Sequence, residues 1–155
     1  LAAKANPTIT ELLWANEYRI LTPLGEKLKS IREAFLSKKA KDSYLGYAMS
    51  QVARKYRNAT DITQYRAGKH VRHTWRLCKQ YEELAKTGKL RVKLTEEERQ
   101  ECFEFVNKTY EECMDWFLDE EKKLNRIESI LPDKPDYDTI NQFLEETRIE
   151  LLKKP

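Results

Sequence analysis

The sequence predicts an all-α fold, a bundle of about six helices with one short extended segment. Apolar residues recur at three- and four-residue intervals along most of the chain, as on the buried face of a helix. Only four glycines and five prolines interrupt the 155 residues. With 40% hydrophobic residues, the chain can bury one modest core, so a single domain is expected over residues 1–155.

The first two helices are predicted to start with the same device, a capping residue followed by proline. The Asn-Pro pair at residues 6–7 predicts a short helix that ends near Trp14. The Thr-Pro pair at residues 22–23 predicts a second helix, which ends near Ser37.

Two longer helices follow, one over residues 42–57 and one after the connecting segment 58–68. Gly88 is expected to end the second one as a left-handed C-cap. Gly46 lies inside the first helix at a cost of about 0.5–1 kcal/mol relative to alanine, so we expect a ligand or a neighbouring helix to approach it closely. Gly68 indicates either a tight approach or a late start of the second helix.

The last third of the chain contains clear helix starts and one clear break. Residues 89–94 alternate apolar and basic side chains and are predicted to be extended. Capping boxes at residues 95–98 and 109–112 each predict a helix. The prolines of the LPDKPD motif interrupt the second of these helices, and Asp136 or Asp138 is expected to cap a terminal one.

One side of the two long helices carries polar and basic residues at three- and four-residue steps. A placement of residues at about 100° intervals puts the following on this side: Tyr44, Tyr47, Gln51 and Arg54 on the first helix, and Arg66, Lys69, His73, Arg76 and Gln80 on the second. We call this set the basic stripe. Like charges at helical spacing repel by a few tenths of a kcal/mol per pair, so a negative group is expected opposite.

The charge distribution supports an anionic ligand but leaves an alternative open. Residues 1–93 have 20 Lys and Arg against 8 Asp and Glu, a formal charge of +12, and residues 94–155 have 9 against 18, a charge of −9. The basic half is therefore a candidate for phosphate-bearing ligands. Alternatively the two halves neutralise each other, with the stripe pairing with acidic residues such as those from Asp115 to Glu121.

The sequence offers no catalytic or metal-binding constellation of its own. It has no HExxH motif, no Walker-type glycine-rich loop, no GxSxG motif and no Cys/His nucleophile signature. His70 and His73 lie three residues apart without accompanying carboxylates at metal-ligand spacing. We therefore predict no catalytic residue and no metal site in this chain.

Cysteine usage and hydropathy indicate a cytoplasmic protein that is not embedded in a membrane. Cys78, Cys102 and Cys113 show no CxxC spacing, and their odd number argues against a disulfide framework, so they are interpreted as reduced core residues. No apolar run approaches the roughly 18 residues of a membrane span, and no signal peptide is recognisable. Because the chain begins with Leu1, we expect it to be a fragment or a processed product.

Several motifs in a fixed order resemble a known family. NPTITELLW, FLS, YLGYAMSQ, GKHVRHTWRL, TGKLRVKL and LPDKPD follow one another over nearly the whole chain from Ala3 onward. This order resembles the C-terminal half of predicted nucleotidyltransferases of the DNA polymerase beta superfamily that have been linked to RNA repair. The family's YxGYAxSQ and KHxxHxxRL motifs match Tyr44, Gly46, Tyr47, Ala48, Ser50 and Gln51, and then Lys69, His70, His73, Arg76 and Leu77.

The resemblance implies that these helices lie beside a nucleotide pocket. Lys69 and Arg76 would then contact the triphosphate, and His73 would donate a hydrogen bond to phosphate or ribose. Tyr47 and Gln51 would position the base or the sugar. Tyr44, Arg54 and Arg66, which belong to the basic stripe, are expected further contacts. The partners that the resemblance implies are a nucleoside triphosphate and an RNA acceptor.

The chain departs from the superfamily at its start. The family's mixed α/β palm carries a Gly-Ser turn and an Asp-x-Asp pair that hold magnesium, and nothing of this kind precedes Asn6. We therefore expect residues 1–22 to be a junction with a palm supplied in cis or by another chain, residues 23–93 to face the ligand, and residues 94–155 to form an acidic half. By itself this chain is expected to bind no cofactor, whereas the complete enzyme needs Mg²⁺. The alternative is a non-catalytic helical module that binds nucleic acid or a partner protein through its basic half.

Overall fold

The computed structural model describes residues 1–57 and 64–153, and it describes the side chains of these residues except at positions 54–57 and 64–67. All regular secondary structure in this part of the chain is helical, which confirms the predicted fold class. The α-helices are α1 (Pro7–Leu13), α2 (Pro23–Ser30), α3 (Ala40–Arg57), α4 (Gln64–Thr87), α5 (Glu96–Glu104), α6 (Tyr110–Asn125) and α7 (Tyr137–Leu152).

The predicted caps account for the starts of five of these helices. The side chains of Asn6 and Thr22 each accept a hydrogen bond from the backbone N–H three residues later, with proline at the next position. Thr95 and Thr109 form complete capping boxes. Asp136 caps α7, and Asp138, the alternative, does not. Each cap satisfies donors that a helix N-terminus leaves without intrahelical partners.

Helix α2 ends earlier than predicted, at Ser30, and a 3₁₀ turn over Arg32–Phe35 follows it. From the last residue of this turn onward, the three consecutive residues 35–37 are all buried. A surface helix exposes one side of every turn, so it could not bury three residues in a row. The continuous helix to Ser37 that the periodicity predicted is therefore absent, and residues 35–37 enter the core instead.

Residues 89–94 form neither a helix nor a strand, so the predicted extended segment adds no strand to the bundle. The backbone N–H of Arg91 donates to the Glu83 carboxylate at 3.1 Å, where a strand would donate to a neighbouring backbone. The guanidinium of Arg91 also forms two hydrogen bonds with Glu98, both at 2.7 Å. The segment is thus tied to α4 and α5 by side chains.

Helices α3 and α4 form the centre of the molecule, and α6 packs against both. The main core draws on both halves of the chain, with Leu45, Val52, Leu77, Leu84 and Phe117 among its buried residues. A second, smaller cluster joins the first turns of α4 to α5 and α6 through Val71, Trp75, Cys102, Phe105 and Cys113. This second cluster holds α5 alongside α4.

The glycines inside α3 and α4 have different roles. Gly68 is buried, and a Cβ atom there would lie 2.8 Å from Cγ1 of Val106. The tight approach predicted at Gly68 is confirmed, and the late helix start is not, because α4 begins at Gln64. Gly46 is exposed, and no described atom would lie within 4 Å of its added Cβ, so the expected neighbouring helix is not there. Gly88 has the predicted left-handed conformation, with φ of 66°.

Within the described ranges, none of the helices is both long enough and apolar enough to cross a bilayer. All three cysteines are buried and none forms a disulfide, as expected for reduced core residues. The 58–60 turn that the sequence predicts lies outside the described residues.

Candidate functional site

A cleft of about 530 Å³ opens between α3 and α4 on one side and the start and end of α5 on the other. Clefts of about 300–1,000 Å³ are the usual size for small-molecule sites. The described residues that line it are Tyr47, Gln51, Lys69, His70, Arg72, His73, Arg76, Leu94, Arg99, Cys102 and Phe103.

The five main residues of the predicted site all line this cleft. They come from two helices that lie far apart in the sequence: Tyr47 and Gln51 from α3, and Lys69, His73 and Arg76 from α4. The extensive packing of α3 against α4 brings the two sets together.

The three further contacts predicted for the site are placed differently. Tyr44 is fully buried in the core, which corrects its expected place on the free side of α3. The N-terminal segment covers this turn, where Ser43 Oγ donates to the carbonyl of Lys4 at 2.8 Å. Burial raises the pKa of the Tyr44 phenol. The side chains of Arg54 and Arg66 lie outside the described residues.

The described lining of the cleft is positively charged. It includes Lys69, Arg72, Arg76 and Arg99 and contains neither Asp nor Glu. Arg99 has a partner outside the cleft, Glu96, at 3.4 Å. Among the described residues no carboxylate lies within ion-pair distance of Lys69 or Arg72. An anion in the cleft would therefore meet cations that are not fully neutralised.

Arg76 is the most firmly held of these cations. Its guanidinium forms an ion pair with Glu11 of α1, and Gln80 Nε2 donates to the same carboxylate oxygen at 3.3 Å. The Arg76 and Glu11 side chains are 34% and 22% exposed. Glu11 thus fixes the position of Arg76 while it removes part of the positive charge.

This pairing bears on the alternative in which the stripe pairs with the acidic half. Glu11 lies in the basic half, so the partner of Arg76 is not among residues 115–121. Among the described residues, four ion pairs do join the two halves, and none of their cations belongs to the stripe: Lys79 with Glu120, Lys27 with Glu150, Lys38 with Asp133 and Arg91 with Glu98. For the described stripe side chains, the predicted pairing with the acidic helix is wrong.

His73 lies against Tyr47 at the centre of the cleft. Their rings meet edge to face, with centroids 5.2 Å apart and an interplanar angle of 86°. Burial lowers the pKa of His73, and the nearby charge of Arg76 lowers it further. At neutral pH the imidazole is therefore uncharged, and it can donate one hydrogen bond and accept another.

The floor of the cleft is fixed by hydrogen bonds between α3 and α4. His70 Nδ1 donates to Gln51 Oε1 over 2.6 Å, and Thr74 Oγ1 lies 3.3 Å from the carbonyl oxygen of Ala48. Gln51 is only 3% exposed. Because Gln51 is nearly buried, it could contact a ligand only at the bottom of the cleft. Its side-chain carbonyl oxygen already accepts the hydrogen bond from His70.

Sequence reasoning missed the wall opposite the stripe and one cation beside the stripe. Arg72, Leu94, Arg99, Cys102 and Phe103 line the cleft but were not predicted. Arg72 had a usable signal, because it lies three residues after Lys69 and four before Arg76 on the same helix. Phe103 had none, since the sequence placed it in the apolar part of α5, yet it is 54% exposed.

The residues that line the cleft do not fit Mg²⁺. Mg²⁺ prefers carboxylate and phosphate oxygens and water, and the described lining contains four cationic side chains and no carboxylate. Across the described ranges no group of three or more His, Cys, Asp or Glu side chains is arranged to hold a metal ion.

The cleft therefore combines a cationic wall with a partly apolar one. Such a surface suits a ligand that carries both negative charge and a flat or apolar group. No family model, curated protein or solved structure matches the chain.

Proposed function

We propose that this chain is the helical nucleotide-binding part of a nucleotidyltransferase, an enzyme that transfers a nucleoside monophosphate from a nucleoside triphosphate to an acceptor, here RNA. One observation carries the proposal: five residues from two separate motifs line one cleft, and its described lining has four cations and no carboxylate. The resemblance to the DNA polymerase beta superfamily supplies the reaction.

In this proposal Lys69 and Arg76 hold the triphosphate. Lys69 is exposed and unpaired among the described residues, so it can reach a phosphate as a mobile cation. Arg76 is positioned in advance by Glu11, which reduces the ordering that binding requires. Hydrogen bonds between ionised groups are about twice as strong as neutral ones, so these two contacts would dominate affinity.

The uncharged groups orient the nucleotide. A neutral His73 donates one hydrogen bond to phosphate or ribose, and its edge contact with Tyr47 fixes the plane of its ring. Tyr47 and Gln51 contact the base or the sugar. Since Gln51 is nearly buried, a ligand must enter the cleft fully to reach it.

The proposal assigns no catalytic residue to this chain. The carboxylates that hold Mg²⁺ in this superfamily would come from a palm in cis or from another chain. The residues described here would bind and orient the nucleotide over that palm. The proposal places the protein in the cytoplasm, where three reduced cysteines are ordinary.

Calorimetric titration of the chain with ATP and with inorganic phosphate tests the proposal. We expect ATP to bind, and Lys69→Ala to weaken binding by about 1–3 kcal/mol because one charge-assisted contact is lost. Lys86→Ala is the matched control, since Lys86 lies on the same helix but pairs with Glu82 at 2.6 Å. Equal effects of the two variants, or no ATP binding, would contradict the proposal.

The non-catalytic alternative gives a different result in the same titration. A module that binds nucleic acid through backbone phosphates would bind RNA with a steep salt dependence. It would show no preference for a triphosphate. A module that binds a protein partner would respond to neither ligand.

A further inference from the structure

The two walls of the cleft differ in chemistry, and the wall from α5 has a feature that the proposed function does not use. Phe103 is the one large apolar side chain of the described cleft lining that is more than half exposed, at 54%. Exposed apolar side chains are common on protein surfaces, so exposure alone has little meaning. Its position inside a cationic cleft is what requires an explanation.

The exposure of Phe103 follows from how α5 packs. Cys102 and Phe105, three residues apart, both enter the second core cluster, where the Phe105 and Trp116 ring centroids are 4.5 Å apart. Residues three apart share a helix face, so the two residues between them, Phe103 and Glu104, are turned away from the core and are exposed. The fold therefore presents Phe103 at the edge of the cleft.

Arg72 holds the ring beside the basic stripe. The guanidinium carbon of Arg72 lies 5.2 Å from the centroid of the Phe103 ring. Arg72 is three residues from Lys69 and four from Arg76, so it is a neighbour of both on the surface of α4. Phe103 consequently lies next to the middle of the proposed phosphate-binding residues.

We propose that Phe103, with Arg72, forms a stacking platform for the nucleobase of a phosphorylated nucleotide. This inference rests on the proposed function and deepens it by assigning the base to a specific wall. Aromatic rings and guanidinium planes both stack on bases, and every base presents a flat face to them. Inorganic polyphosphate satisfies only the cationic wall, whereas a nucleotide satisfies both.

The platform also narrows the roles of the residues on α3. With the base on Phe103, Tyr47 and Gln51 are left to contact the sugar, which lies between base and phosphates. The nucleotide could be a free nucleoside triphosphate or a nucleotide of single-stranded RNA, because both carry the same base and phosphate chemistry. Salt dependence separates these two sources, since RNA contacts release more counterions.

The test compares ATP, inorganic tripolyphosphate and a short oligoadenylate on the full chain and its variants. Phe103→Ala should weaken ATP binding roughly 5- to 150-fold, the range seen when a stacking aromatic is removed, and leave tripolyphosphate binding unchanged. Phe103→Trp should restore ATP binding. Leu118→Ala, at another exposed apolar position on α6 (38% exposed), should change neither affinity.

A second readout reports stacking directly. Phe103→Trp places an indole in the cleft, and ATP should quench its emission while tripolyphosphate should not. The unsubstituted chain, with Trp14, Trp75 and Trp116 only, provides the background signal.

The outcomes separate the inference from the proposed function. One outcome is that Phe103→Ala weakens the binding of ATP and of tripolyphosphate equally, or weakens neither, while Lys69→Ala still weakens ATP binding. In that case the stacking platform is wrong and the nucleotide site stands. If the unsubstituted chain binds neither ATP nor tripolyphosphate, both proposals fail. Quenching by oligoadenylate with a steep salt slope, and none by ATP, would make RNA the occupant of the platform and would overturn the triphosphate assignment.

Discussion

Two depressions along α4 contain the same types of basic side chain and differ in what surrounds them. The first is the cleft described above. The second, which we call the paired groove, is lined by Lys79, Gln80, Glu82, Glu83, Lys86, Arg91, Leu94 and Glu98 and encloses about 190 Å³. Each of the three cations of the paired groove lies within 4 Å of a carboxylate of the same groove.

The difference shows that charge compensation, not the number of basic residues, marks the candidate site. In the paired groove Arg91 is bound by Glu98 through two hydrogen bonds of 2.7 Å, which also hold the pKa of Glu98 below its usual range. In the cleft the carboxylates nearest to Arg76 and Arg99 lie outside the lining. Of these two depressions, as far as their described residues show, only the cleft leaves positive charge available for a ligand.

Reversing one charge in the cleft should give the largest effect, which is on triphosphate affinity. Lys69→Glu places a carboxylate among the cations and opposite the ligand phosphates, so we expect triphosphate affinity to fall by several kcal/mol. Lys86→Glu makes the same charge change in the paired groove and should have little effect. Both variants are titrated with ATP, and circular dichroism confirms that they fold. Similar losses of affinity in the two variants would contradict the difference between the cleft and the paired groove.

Substitution of the glycines inside α3 and α4 should give the next largest effect, which is on stability. Gly68→Ala forces a Cβ against Val106 where α4 meets the end of α5, and we expect a loss of about 1–3 kcal/mol in the free energy of unfolding. Gly46→Ala, in open space, should instead stabilise by about 0.5–1 kcal/mol.

Urea denaturation measures both glycine variants, and a double variant tests the cause. Adding Val106→Ala to the Gly68→Ala variant should partly restore its stability, because this second substitution removes the clashing methyl groups. If Gly68→Ala unfolded at the same urea concentration as the unsubstituted chain, the close packing at this end of the cleft would be disproved.

A smaller effect on stability is expected when the pH is lowered, because of His73. The folded-state pKa of His73 lies below its ordinary value of 6.5, because of burial first and then of Arg76, His70 and Lys69, with Glu11 acting in the opposite direction. As the pH falls, the unfolded chain therefore takes up the proton first. The contribution of His73 to stability is complete above 6.5 and is lost as the pH falls through the folded-state pKa.

Thermal unfolding between about pH 7.5 and about pH 5.5 checks this sign. His73→Gln should lose less stability on acidification than the unsubstituted chain does. Added tripolyphosphate should also reduce the loss, because an anion in the cleft favours the protonated ring. A loss that is the same in His73→Gln and the unsubstituted chain would exclude His73 as its source.

The smallest effect should come from the paired groove itself. Arg91→Ala removes an ion pair whose side chains are 42% and 26% exposed, so we expect a change of only about 0–1 kcal/mol in the free energy of unfolding. Triphosphate affinity should not change. A loss of affinity as large as that of Lys69→Ala would show that the two depressions do not differ in function.

The sequence predicted the parts of the molecule that depend on neighbouring residues. The Asn6 and Thr22 caps and the Thr95 and Thr109 capping boxes are local hydrogen bonds between residues three apart, and all four are present. The basic stripe also follows from helical spacing alone. It therefore identified all five main residues of the cleft.

The sequence failed where a distant segment changes the environment of a residue. Helical spacing placed Tyr44 on the same side of α3 as Tyr47, but the N-terminal segment covers that turn and buries Tyr44 completely. Alternation at residues 89–94 predicted an extended segment but did not reveal that the side chains of Glu83 and Glu98 accept the hydrogen bonds of Arg91 there. Neither contact has a periodicity that could reveal it.

By itself, then, the sequence determined the helical class, the helix starts and the cationic face of α4, because each arises from interactions within a few turns of chain. Only the tertiary structure decided which cations are compensated. It brought Glu11 to Arg76 from 65 residues away in the chain, and it placed α5 so that Phe103 faces the cleft. Ion pairing and burial depend on distance in space, and that distance is set by how the helices pack.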